Sequence, residues 1–101
     1  MAYRVTWASR ADVDLQEITA RIACDKPGAA DKFYHDIFDY IESAANMPRS
    51  GRMVPELQNK RIREWIFKSY RIVYLLNEKE ESLVILRIWH GARGTPDLGW
   101  S

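Results

Sequence analysis

The sequence reads as a single α+β domain, a helical hairpin packed on a small antiparallel β-sheet in the order β-α-α-β-β-β. Three observations predict it. Apolar residues recur at helical spacing through residues 10–44 and are interrupted only by a short polar stretch. Three runs between residues 61 and 90 are dense in Ile, Val, Leu, Tyr, Trp and Phe and are separated by short polar segments. With 101 residues, 47% of them hydrophobic and 29% charged, the chain can bury one core and has no room for a second domain.

Tyr3 to Trp7 reads as the first strand, because Tyr3, Val5 and Trp7 alternate with Arg4 and Thr6. Ser9 offers an N-cap, with Asp12 three residues on in a capping-box-like arrangement. Ala11, Leu15, Ile18 and Ile22 then mark one face of a helix from Arg10 to Ala23. Cys24 is the only cysteine, so no intrachain disulfide or cysteine-rich zinc site can form, and it is expected as a small buried hydrophobe on a helix. Pro27 suits the first turn of a second helix, whose stripe is Ala30, Phe33, Ile37, Ile41 and Ala44 and which should stop before Pro48.

Pro48 to Lys60 has no clean period and reads as a loop. Arg61 to Phe67, Tyr70 to Asn77 and Leu83 to His90 form an antiparallel meander, and Gly91 to Ser101 is expected to be irregular. Strict alternation puts Tyr70, Ile72, Tyr74 and Leu76 on one face of their strand, with Val73 and Leu75 on the other. In the last strand it opposes Val84, Leu86 and Ile88 to Leu83, Ile85 and Trp89. Both faces are apolar. Two helices cover one, so the second falls to the loops, to a second copy or to another chain, with an obligate partner protein expected.

Composition narrows the function. The longest apolar run, Ile72 to Leu76, is far short of the ~20 residues that span a bilayer, and Met1 to Trp7 lacks the apolar core of a signal peptide, so a cytoplasmic protein with no membrane partner is expected. The net charge of +1 is unevenly spread: seven basic residues from Arg49 to Arg71 face only Glu56 and Glu64. Such a patch is the footprint of an acidic partner or simply a solvated face. His35 and His90 lack metal-ligand spacing, and the glycines form no phosphate loop, so neither metal nor cofactor is expected. What stands out is Arg63, Arg71 and Arg87 on strands, with Arg93 just beyond. An arginine in an apolar strand must be paired or face a groove, and Glu56 and Glu64 are the nearest acids.

The runs Ile62-Arg63-Glu64-Trp65-Ile66, Tyr70-Arg71-Ile72-Val73-Tyr74 and Ile88-Trp89-His90-Gly91-Ala92-Arg93 resemble the RelE/ParE superfamily of bacterial toxins, the toxic halves of type II toxin-antitoxin pairs. The resemblance extends over nearly the whole chain. It implies a cognate antitoxin that covers the apolar surface and carries any contact with operator DNA. RelE-like members are ribosome-dependent mRNA endoribonucleases that work without metal. On that pattern Arg71 would stabilise the scissile phosphate, and His90 or Glu56 would move protons. ParE-like members poison DNA gyrase without cutting RNA, which would make Arg63, Arg71, Arg87 and Arg93 target contacts. The tail after His90 has no Tyr, Gly91 stands where some nucleases carry an aromatic, and the basic stretch is poor in lysine. The His-Gly-Ala-Arg ending and the loop Gly51-Arg52-x-x-Pro55-Glu56-Leu57 look more like the ParE branch. The expected function is therefore a growth-inhibiting gyrase poison, with the ribosome-dependent nuclease as the alternative and a binding module without toxic activity as a third reading.

Overall fold

In the computed structural model, which describes residues 3–99, the elements run β1 (Arg4–Trp7), α1 (Ser9–Asp25), α2 (Pro27–Ala44), β2 (Arg52–Met53), β3 (Ile62–Phe67), β4 (Tyr70–Asn77) and β5 (Ser82–His90), closed by a 3-10 turn at Gly91–Arg93. The strands form one five-stranded sheet in the order β1-β5-β4-β3-β2. β2 to β5 are antiparallel, as the meander requires, whereas β1 lies parallel to β5 with Arg4 opposite Ser82 and Trp7 opposite Ile85. The sheet is therefore mixed. Hairpin rules fix the direction of consecutive strands only, and the pairing of β1 with a strand more than seventy residues away leaves no local pattern. β2 falls inside the stretch read as loop, because two residues are too short to show a period.

α1 begins without the expected cap. Ala8, not Ser9, is its N-cap, with no side-chain bond, and Ser9 is already helical. Ala8 still donates its N–H to the Ile85 carbonyl while its own carbonyl accepts from Ala11 and Asp12, so the chain passes from sheet to helix at one residue. Lys26 alone separates the two helices, and Pro27 occupies the first turn of α2 as its missing N–H and fixed φ favour. Cys24 is exposed, contrary to expectation. It follows Ile22 by two residues, which is about 200° around a helix, and so leaves the buried face.

The main core lies between the hairpin and one face of the sheet. Leu15, Ile18, Phe33, Ile37 and Ile41 pack on Trp65, Phe67, Ile72, Tyr74, Leu83, Ile85 and Ile88, all buried. β5 does not alternate throughout. Tyr74 pairs with Ile85 and Val73 with Arg87, leaving Leu86 as a bulge that reverses the parity beyond it. Ile88 therefore joins Leu83 and Ile85 on the helix face, and Trp89, opposite Arg71, lies on the other. Ile88 and Trp89 thus face opposite to what strict alternation predicts.

The second face is covered in large part by the chain itself. Val54, Ile62 and Val73 form a smaller buried cluster, joined by Leu57 of the loop, Leu75, Leu86 and Leu98 of the tail. The tail beyond the 3-10 turn is irregular as expected, with residues 100–101 outside the described residues. Gly51 is required by close approach: a Cβ there would stand 2.8 Å from the Glu64 carbonyl oxygen and against the Tyr74 ring. Tyr74, wholly buried, donates its hydroxyl to the Pro48 carbonyl at 2.7 Å and accepts the Gly51 N–H at 3.1 Å, anchoring the loop to the core.

Candidate functional site

The charged residues of the second face are arranged as two clamps. In the first, Glu64 on β3 is 1% exposed and Arg71 on β4 is 8% exposed, two burials that mutual pairing makes tolerable. Arg71 donates from Nε to Glu64 Oε1 at 2.6 Å, and from Nη1 and Nη2 to the two Glu56 oxygens at 2.9 and 2.7 Å. Its Nη1 also reaches the Gly94 carbonyl at 3.2 Å. The remaining Glu64 oxygen accepts Arg52 Nε at 2.6 Å. The hydrogen bonds from Arg71 hold the Glu56 carboxyl down to about 2, and those carboxylates raise the Arg71 guanidinium above its ordinary value. Every nitrogen of that guanidinium is occupied.

The second clamp is Arg87 with Asp14. β1 ends opposite Ile85, so the outer edge of β5 is open beyond it, and Asp14 of α1 takes the place of a ladder partner by accepting the Ile88 N–H at 2.9 Å. Its carboxylate binds Arg87 Nε and Nη2 at 2.8 and 2.9 Å in the bidentate geometry that suits a guanidinium. Arg87 Nη1 donates to the Asp97 carbonyl, and Trp89 Nε1 donates to the Gly94 carbonyl at 3.0 Å, so the tail is tied across the same face.

The other candidates lie apart. Arg63 donates to the Gly51 carbonyl at 2.9 Å and is half-buried against the loop. Arg93 is exposed, its guanidinium 3.8 Å from the centre of the Trp89 ring. His90 is half-buried on the helix side of the sheet, edge-on to Tyr70, and its Nδ1 accepts the Ala92 N–H at 3.0 Å, capping the 3-10 turn. Arg71 and Glu56 are thus brought together, while His90 opens on the opposite face, into a cleft lined by Asp14, Glu17, Ile18, Arg21, Tyr70, Ile88 and Arg93. Of the seven residues in the basic stretch, Arg49 pairs with Glu78, Arg52 with Glu64, Lys68 with Asp36, and Arg71 with Glu56 and Glu64. Sequence reasoning missed Asp14, whose signal was an acid inside the apolar stripe between Ala11 and Leu15. Among the described residues no cluster of His, Cys, Asp or Glu could hold a metal ion, and no helix is long and apolar enough to cross a membrane.

Two helices on one face of a five-stranded mixed sheet match the fold of the ParE and RelE toxins. The chain belongs to the ParE toxin family of type II toxin-antitoxin systems (parDE), whose model matches residues 5–94. Among solved structures it is similar to the chromosomal ParDE toxin-antitoxin system of P. aeruginosa, with TM-score 0.72 and 18% identity over 88% of this chain and 96% of that one. The toxin-antitoxin complex RelBE2 of Mycobacterium tuberculosis gives TM-score 0.58 and 20% identity over 89% and 99% of the two chains. A mutant of the E. coli toxin RelE in the free state gives 0.59 and 12% over 93% and 88%. These likenesses establish the fold. No curated protein matches the sequence.

Proposed function

We propose that this toxin acts by binding and poisoning DNA gyrase, and that a cognate antitoxin neutralises it. The observation that carries the reading is the separation of the nuclease candidates. A metal-free RNase needs a cation free to meet the scissile phosphate and proton-transfer groups within reach of the same atoms. Here the Arg71 nitrogens are spent on Glu56, Glu64 and Gly94, and His90 lies on the other face. Glu56, held near 2, is a weak base at neutral pH. The Nδ1 of His90 is already committed to the Ala92 N–H, which ties the ring to the 3-10 turn.

Of the four target arginines, Arg93 alone is exposed, and we place the target contact there. For the antitoxin, Val13, Tyr34 and Phe38 on the hairpin are 47%, 46% and 36% exposed, and Ile66 on β3 is 52% exposed, apolar area of the kind that partners cover. The ParDE and RelBE2 structures are of toxin-antitoxin pairs. Contact with operator DNA would come through the antitoxin, and the cytoplasm, where gyrase meets DNA, is the place of action. The ribosome-dependent nuclease is the second reading, favoured only by the closeness of Glu56 to Arg71. Purified gyrase and plasmid decide it: the chain should block supercoiling and accumulate cleaved DNA, and antitoxin should reverse both. No effect on gyrase by a protein that still arrests growth would overturn the proposal.

A further inference from the structure

We infer that the cleft between α1 and the end of β5 is a receptor for a single carboxylate, an acidic side chain of a protein partner. This rests on the reading that Arg93 meets a protein target and adds the chemistry of what it meets. The cleft has a volume of about 230 Å³. Asp14 at its floor is consumed by Arg87 and the Ile88 N–H. Among the described residues, the Tyr70 hydroxyl makes no hydrogen bond, and Arg21 and Arg93 make neither hydrogen bond nor ion pair. Glu17 and Arg21, one helical turn apart, are not paired with each other. His90, with Nδ1 committed to Ala92, presents Nε2–H as a donor. The Arg93 guanidinium, though exposed, lies 3.8 Å from the centre of the Trp89 ring, which restrains it. The lining therefore offers two guanidinium groups, a phenol and an imidazole N–H, all able to donate, against one carboxylate without a partner, Glu17.

Charge and size select the ligand. Arg21 and Arg93 against Glu17 leave a surplus of one positive charge, which matches one carboxylate. Glu17 at the same wall opposes a phosphate dianion or the run of charges on a nucleic-acid strand. The volume falls below the ~300–1,000 Å³ of small-molecule and cofactor pockets, so the cleft fits a side-chain-sized group.

The test is an NMR titration of the full chain with sodium acetate at constant ionic strength, beside parallel titrations with sodium chloride and inorganic phosphate, following the Trp89 indole and the Ala92 and Arg93 amides. Acetate should shift these signals saturably. R21Q and R93Q should each weaken the response about tenfold or more, the loss expected for a charge-assisted hydrogen bond. E17Q should strengthen it, a gain that no merely structural role of Glu17 would produce. Equal shifts with chloride, tighter saturation by phosphate, or indifference to all three substitutions would each overturn the inference. Gyrase takes no part in the titration, so this result and the gyrase result stand or fall separately.

Discussion

Replacing Arg71 with Met tests whether this arginine is part of the fold or a reagent. The substitution keeps an unbranched apolar stem and removes the guanidinium that binds Glu64 at 2.6 Å and Glu56 at 2.7 and 2.9 Å. Glu64, 1% exposed, would then hold its charge with Arg52 alone, whose side chain is 60% exposed. Removing one partner of a buried pair costs about 3–5 kcal/mol. A domain of this size has roughly 5–15 kcal/mol in total, and each kcal/mol moves its melting temperature by about 4–8 °C. R71M should therefore melt at least ~12 °C below wild type. Urea unfolding and thermal circular dichroism of the antitoxin-free protein measure this. The double variant R71M/E64L, which removes both buried charges, should recover most of the loss, because the penalty belongs to the orphaned carboxylate. R71M within about 0.5 kcal/mol of wild type would show that Arg71 is not part of the fold's support, since ordinary surface substitutions fall in that range.

Asp14→Ala should cost about 3–5 kcal/mol, because it leaves Arg87 buried without its carboxylate and the Ile88 N–H unpaired; D14N, which keeps an acceptor, should lose less in the same urea titration. Tyr74→Phe should cost about 1–3 kcal/mol by orphaning the Pro48 carbonyl and the Gly51 N–H. Burial pushes the Tyr74 hydroxyl from 10.0 up to about 12, so its contribution is intact below pH 10 and fades as pH rises from 10 to 12, a loss that Y74F should not show. Glu56 is shifted the other way, from 4.5 to about 2, so its contribution is present above pH 4.5 and is lost as pH falls toward 2. Its carboxylate is a third exposed, so the effect should be about 1 kcal/mol or less, and E56Q should flatten the fall in urea midpoint between pH 5 and pH 3.

Local pattern carried most of the architecture. The stripes through Leu15 and Ile18 and through Phe33, Ile37 and Ile41 mark the two helices, and the β-rich runs mark β3, β4 and β5 to within a residue or two. What stayed hidden was non-local: the parallel pairing of β1 with β5, and the bulge at Leu86, which depends on the register with β4. The site divides the same way. Arg71 and Arg87 stand out because a guanidinium in an apolar strand needs a partner, and Glu56 and Glu64 are near enough in sequence to be named. Asp14 lies 73 residues from Arg87, and only the packing of α1 along the open edge of β5 brings them together. That His90 and Arg71 face opposite ways follows from their alternation across the paired strands, but the bulge obscures it in the sequence.

Whether toxicity comes from binding gyrase rather than from cutting RNA is decided by assaying one antitoxin-free preparation side by side on gyrase with plasmid and on translating ribosomes with mRNA. A gyrase poison gives antitoxin-reversible gyrase cleavage complexes and intact mRNA. Ribosome-dependent cleavage of the mRNA, abolished in a folded variant that lacks Glu56 or His90, with gyrase untouched, would contradict the gyrase proposal.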